Sequence, residues 1–276
     1  MTVRHAHLHG RTAQVSRLTV SKHPALGIDA KRVETHCPLA QTVSALTLID
    51  GRVLEMELSS LDVVGYKNQQ IPNTFIIQPT PTQHLGVILP GYRHSAEMAD
   101  LHYAGRILLE QGADLLRVEY TYYRTDFMEQ PESEQDKWIS SDVFAVCNAA
   151  LSYRSYNQIT LVGKSLGTIA MGHLLADSRF QSATCVWSTP LLTVEWLRSR
   201  IEQTHPRSLF IIGTSDKFYK PDILKHLENV TKGRAVVIEG ANHGLEIPDN
   251  ISKSLIALNQ IVQALQEFLN EDANRA

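Results

Sequence analysis

From residue 71 onward, short apolar runs rich in β-formers alternate with longer stretches whose apolar residues recur at helical spacing. The runs are TFIIQ (74–78), LGVIL (85–89), LLRVEY (115–120), ITLVG (159–163), TCVWS (184–188), LFIIG (209–213) and AVVIEG (235–240). Between them lie helix-like segments over 95–111 (closed by Gly112), 139–151, 166–177 and 251–269; in the last, Leu258, Ile261, Val262, Leu265 and Phe268 form one stripe. Strands apolar at nearly every position are buried on both faces, and the intervening helices supply the crossovers that parallel pairing needs. The pattern predicts an α/β protein, a three-layer sandwich around a mostly parallel sheet.

Upstream the rhythm differs. SALTLI and RVLEMEL flank Asp50-Gly51, a pair suited to a tight hairpin turn, so order is expected from Ser44. Residues 1–43 carry arginines and histidines, few acids and no sustained period, and are expected to form a poorly ordered arm preceding one domain over 44–276. His5, His7 and His9 alternate on that arm, yet no carboxylate or cysteine stands close by, so no metal site is assigned.

With 276 residues, 43% of them hydrophobic, the chain can bury one substantial core. A formal net charge of -3 offers no basic field for a phosphate backbone, which argues against nucleic acid as a partner. The three cysteines, Cys37, Cys147 and Cys185, are widely spaced and suggest neither a disulfide framework nor a zinc site. No apolar run is long enough to span a bilayer, and the N-terminus lacks the apolar stretch of a secretory signal. A cytoplasmic protein without a membrane partner is the expectation.

In a parallel sheet of this kind, ligands gather beyond the carboxyl ends of the strands. LGVIL is followed by Pro90-Gly91-Tyr92-Arg93-His94. ITLVG runs into Gly163-Lys164-Ser165-Leu166-Gly167, a G-x-S-x-G sequence placed between a strand and a helix. LFIIG is followed by Thr214-Ser215-Asp216, and AVVIEG by Ala241-Asn242-His243-Gly244. The last three loops thus present Ser, Asp and His in that order, each at a different strand end.

On these residues, from about Ser44 to Leu269, the chain resembles the α/β-hydrolase superfamily, and within it the compact dienelactone-hydrolase-like and esterase-like group. The resemblance implies a nucleophile at Ser165, a base at His243 and an orienting acid at Asp216. Should Asp216 merely cap the following turn, Asp222 lies downstream as a substitute. It also implies an oxyanion hole formed by the backbone amides of Leu166 and Tyr92. Pro90 departs from the pattern, because many relatives carry histidine before this glycine.

Other residues are ambiguous on sequence alone. Arg93 and His94 suit a carboxylate of the substrate, since Arg offers a bidentate fork, but would read equally as a solvated pair. Lys164 is read mainly as structural, with anion binding as the alternative. Between Ser188 and Arg207 there is room for one or two short helices and no large cap domain; Trp196 there is a candidate acyl-side contact, or else part of a helix covering the sheet. The long polar segment 121–138 is expected to fold over the entrance, making Tyr122, Tyr123 and Phe127 substrate contacts. The expected activity is hydrolysis of a carboxylic ester or thioester of a small soluble acid, with no cofactor. Acyl transfer by the same three residues and an inactive binding scaffold are the alternatives.

Overall fold

The alternating runs become nine strands and six α-helices among the residues that the computed structural model describes, namely 39–49 and 52–273, with side chains over 56–271. The strands are β1 (Leu39–Ile49), β2 (Arg52–Leu61), β3 (Asn73–Ile77), β4 (His84–Leu89), β5 (Asp114–Val118), β6 (Gln158–Lys164), β7 (Thr184–Ser188), β8 (Ser208–Gly213) and β9 (Arg234–Ile238). The helices are α1 (Ala99–Glu110), α2 (Glu132–Tyr153), α3 (Leu166–Leu174), α4 (Glu195–Thr204), α5 (Pro221–Thr231) and α6 (Ile251–Ala273).

All nine strands join one sheet in the order β1-β2-β3-β5-β4-β6-β7-β8-β9. The pairs β1/β2, β2/β3 and β3/β5 are antiparallel, while every pairing from β5 through β4 to β9 is parallel. The expected three-layer arrangement is therefore present, and between β7 and β8 the only helix among the described residues is α4. β1 begins at Leu39, ahead of the Ser44 expected from sequence; Ile49 pairs with Arg52, while Asp50 and Gly51 lie outside the described residues, as do His5, His7 and His9.

The two-residue alternation of a strand sorts the core into two halves. Leu85, Val87 and Leu89 of β4, Leu161 of β6 and Phe210 and Ile212 of β8 face the layer of α2, α3, α4 and α5. Ile88, Val162, Leu209 and Ile211, one residue out of phase, face α1 and α6. Each central strand is thus covered on both sides, which is why it reads as an uninterrupted apolar run.

The segment after β5 departs from the expectation of an entrance flap. It forms two single 3-10 turns, Tyr122–Arg124 and Phe127–Glu129, and α2 then starts at Glu132, well before residue 139. Tyr122 and Phe127 turn inward because their rings complete an aromatic stack: Tyr122 lies 4.7 Å from Tyr120 and 4.5 Å from Phe127, and both it and Phe127 meet Trp138 edge-on. Tyr122 is buried, and its hydroxyl donates to Asp142 Oδ2 at 3.0 Å. It is a core residue, and the sequence-based assignment to substrate contact is corrected.

Asp142 also accepts the Tyr66 amide at 2.6 Å, yet burial dominates and pushes its carboxyl up from 3.8 to about 6. An acid that holds its proton more tightly folded than unfolded penalises the fold as it ionises; the penalty is absent below about pH 4 and complete above about pH 6. Asp142→Asn is therefore expected to gain thermal stability relative to the parent as pH rises from about 4 to about 7. Melting curves across that range check it, and a variant that loses ground with rising pH would show that the carboxylate is a net stabiliser.

Candidate active site

The turn from β6 into α3 places Ser165 in a backbone conformation that side chains rarely adopt, with φ 51° and ψ -112°. Such strain costs roughly 1–3 kcal/mol and persists only where neighbours enforce it. Here the Ser165 amide donates to the Ser188 carbonyl at 3.0 Å, and the Ser165 carbonyl accepts the Thr168 amide at 2.9 Å and the Thr168 hydroxyl at 2.6 Å. Gly167 makes the turn possible, because a Cβ at that position would overlap the carbonyl oxygen of Leu89 at the end of β4.

The two other loops converge on this serine. His243 Nε2 lies 2.8 Å from Ser165 Oγ, and His243 Nδ1 lies 2.7 Å from Asp216 Oδ2. An ionised carboxylate only accepts, so Nδ1 carries the proton and Nε2 accepts from the serine hydroxyl. The Asp216 side chain is wholly buried, and its second oxygen accepts the Phe218 amide at 2.9 Å. Asp222, the substitute acid considered from sequence, lies instead in the exposed first turn of α5.

Backbone bonds lock these two loops together. The Gly240 amide donates to the Thr214 hydroxyl at 2.8 Å and the Ser215 amide to the Ala241 carbonyl at 3.0 Å. Asn242 Oδ1 accepts the amides of Gly244 (2.8 Å) and Glu246 (3.2 Å), closing the turn that carries His243. Neither the Asn242 staple nor the Thr214 bond was identified from sequence, although an Asn beside a candidate histidine is a known turn-former.

The loop after β4 lies directly against the serine. A Cβ on Gly91 would sit 3.1 Å from Ser165 Cβ and 3.1 Å from His94 Nδ1. Tyr92 follows Gly91, its ring stacked on Phe127 at 6.5 Å, and Leu166 follows Ser165 as the first residue of α3. Arg93 takes a left-handed conformation, φ 61°, and is exposed. Arg93 and His94 line an open cleft of about 670 Å³ beside this loop, with Glu119, Thr121, Tyr123 and Arg124 among its other walls. Tyr123, unlike Tyr122, is thus available to a ligand, and Arg124 is a cleft residue that sequence reading missed.

Burial, followed by the nearby Lys164 charge, holds the His94 imidazole below its usual range. Lys164 itself does not reach the cleft. Its side chain is fully buried, with Nζ 3.1 Å from Asp100 Oδ2, so the anion-binding alternative is overturned. Trp196 packs against His173, ring centroids 4.6 Å apart, and crowds Gly172 on α3; it covers the helix and stands against the acyl-side contact proposed from sequence.

Fold and geometry together define a strand-turn-helix serine with a histidine and a buried carboxylate in hydrogen-bond sequence. The sequence profile of the alpha/beta hydrolase domain family matches residues 94–270, and the chain belongs to that family. Solved structures with the same fold include a dienelactone hydrolase from Anabaena variabilis (15% identity, TM-score 0.57, covering 78% of this chain and 98% of that one). An esterase from Pyrococcus furiosus aligns at 15% identity and TM-score 0.54, over 76% of this chain and 92% of its own. An esterase from an Arctic intertidal metagenomic library aligns at 13% identity and TM-score 0.56, over 81% and 96% respectively. A search of curated proteins returned no match.

Gly167→Ala is expected to destabilise the protein by about 3 kcal/mol or more, because the obstructing atom belongs to the backbone of a central strand and cannot swing aside. Urea unfolding measures this; a midpoint equal to the parent's would mean that the elbow is looser than described.

Proposed function

We propose that this protein is a serine hydrolase that cleaves a carboxylic ester or thioester of a small soluble acid through an acyl-Ser165 intermediate. The reading rests on one observation, the unbroken hydrogen-bond chain from Ser165 Oγ through His243 to Asp216 Oδ2.

A serine hydroxyl is a weak nucleophile at neutral pH. His243 Nε2 takes its proton as Oγ adds to the carbonyl carbon, and Asp216 stabilises the imidazolium and fixes the tautomer. The carbonyl oxygen gains negative charge in that step. The amides of Tyr92 and Leu166 donate to it, reinforced by the positive end of the α3 dipole. Collapse of the tetrahedral adduct expels the alcohol or thiol, which takes the proton from His243. Water, deprotonated by His243, then adds to the acyl carbon, and a second collapse returns the acid and the free serine.

Two features support a small, polar substrate. Among the described residues, only α4 occupies the stretch between β7 and β8 where a cap would be inserted. The cleft beside the oxyanion loop carries the exposed cations Arg93 and Arg124, which favour an acid with an additional anionic group.

A fluorophosphonate probe is expected to label the parent protein and to leave Ser165→Ala and His243→Ala unlabelled. On short p-nitrophenyl esters, Asp216→Asn is expected to lower kcat by about 10⁴-fold, the cost of the wrong imidazole tautomer. Equal labelling of parent and Ser165→Ala would refute the nucleophile. Activity that rises steadily beyond a few acyl carbons would refute the substrate size.

A further inference from the structure

Beneath Ser165 lies a charged cluster to which the reaction above assigns no task. Lys164, the last residue of β6, has no exposed surface, and Asp100, in the first turn of α1, has almost none. Lys164 Nζ stands 3.1 Å from Asp100 Oδ2 and 3.5 Å from Ser188 Oγ, and the Ser188 hydroxyl donates to that same carboxylate oxygen. Stripping water from an ammonium and a carboxylate is costly, and their attraction often does no better than break even; well-packed apolar side chains of similar volume frequently stabilise a core as much or more. Stability alone is therefore a poor reason for this pair.

Its connections suggest a better one. Asp100 is the second residue after the loop 90–98 that carries Tyr92. Lys164 immediately precedes Ser165. Ser188 is register partner to Lys164, and its carbonyl accepts the Ser165 amide. Within the loop the bonds are short-range: the His94 amide reaches the Gly91 carbonyl at 3.1 Å across a turn in which Arg93 is left-handed, the Glu97 amide reaches the Ser95 hydroxyl at 3.2 Å, and the Met98 amide the Ser95 carbonyl at 3.2 Å. Its far end is tied by the Ala96 amide on the Glu119 carboxylate, 3.0 Å, by the Glu97 carboxylate on Arg117 and His102, both at the exposed surface, and by Asp100, the one tether that is buried and charged on both sides. An apolar contact at Asp100 would permit sliding at little cost, whereas an ion pair with a shared hydroxyl fixes direction as well as distance.

We propose that Lys164, Asp100 and Ser188 are positioning residues that hold the Tyr92 amide in register with Ser165 and the Leu166 amide. This rests on the reading of those amides as the oxyanion hole. Misplacing a catalytic group by about 1 Å can cost on the order of 100-fold in rate, so a buried charge pair is a proportionate device.

The test combines Lys164→Met, Asp100→Leu and Ser188→Ala, which removes both charges and leaves no hydroxyl of the cluster unpaired. The melting temperature of this triple variant is expected to stay within about 5 °C of the parent's. Amides of residues 91–98 are expected to exchange with deuterium about 10-fold faster or more. On a short p-nitrophenyl ester, kcat should fall about 10- to 100-fold while KM changes little. Affinity for a phenylboronic acid, which mimics the tetrahedral adduct, should fall in parallel with kcat. Parent-like exchange across 91–98 overturns the proposal, whatever the melting temperature. Should the triple variant fail to fold, Asp100→Asn, nearly isosteric and uncharged, is read the same way: faster exchange at 91–98 supports positioning, and unchanged exchange overturns it. A parent protein without ester hydrolysis would refute the activity, while the exchange experiment still decides what the charged cluster does.

Discussion

The carbonyl oxygen of Leu89 and the Cα of Gly167 are pressed together, and most of the site follows from that approach. It brings the end of β4 onto the first turn of α3, so the chain leaving β4 at Pro90 must cross the helix N-terminus. Amides and the positive end of the helix dipole are concentrated there. The cost is the left-handed backbone of Ser165, offset by the bonds its amide and carbonyl make to Ser188 and Thr168. A serine in this geometry cannot retreat into the helix as an ordinary N-cap, and no capping bond from its side chain is found. Its hydroxyl is directed to His243 instead.

The site is assembled by two different means. Asp216 and His243 leave adjacent strands, β8 and β9, and their loops are fastened by main-chain bonds and by Thr214 and Asn242. The loop of Tyr92, although β4 has β5 and β6 as neighbours, is secured by side chains: Asp100 to Lys164, Glu97 to Arg117, the Ala96 amide to Glu119, and the Tyr92 ring on Phe127. The inward fold of the segment after β5 thereby gains a purpose. By stacking Phe127 on Tyr122, which in turn stacks on Tyr120 and meets Trp138, it supplies a buried ring against which Tyr92 of that loop packs.

The parallel sheet was legible because strands buried on both faces leave uninterrupted apolar runs, and each of the seven runs read from residue 71 onward lies on or overlaps one of the strands β3 to β9. Ser165, Asp216 and His243 were legible for a related reason: they follow strand ends, where topology alone brings distant positions together. Tyr122 was misread because polarity in the 121–138 segment suggested solvent, while the aromatic side chains within it, invisible to a local count, find partners at Tyr120, just past β5, and at Trp138 on α2. The role of Lys164 was open for the same physical reason. Its partner Asp100 lies 64 positions away and looks, in sequence, like any acid in the first turn of a helix. Long-range pairing of polar groups leaves no periodic trace.

An open site must still create a low-dielectric environment for charge, and the burial gradient along the three residues does so without a cap. The Asp216 side chain has no exposure, whereas about a third of the His243 side chain, 31%, remains exposed. In the proposed reaction the imidazolium is therefore paired with its carboxylate at the dry end, where attraction is least screened. The proton-accepting edge meets Ser165 Oγ at the partly exposed end of the chain, where water must arrive for deacylation. A cap would strengthen the first interaction at the expense of that second access. With Asp216 already buried and its second oxygen held by the Phe218 amide, the proposed reaction gains little from further enclosure.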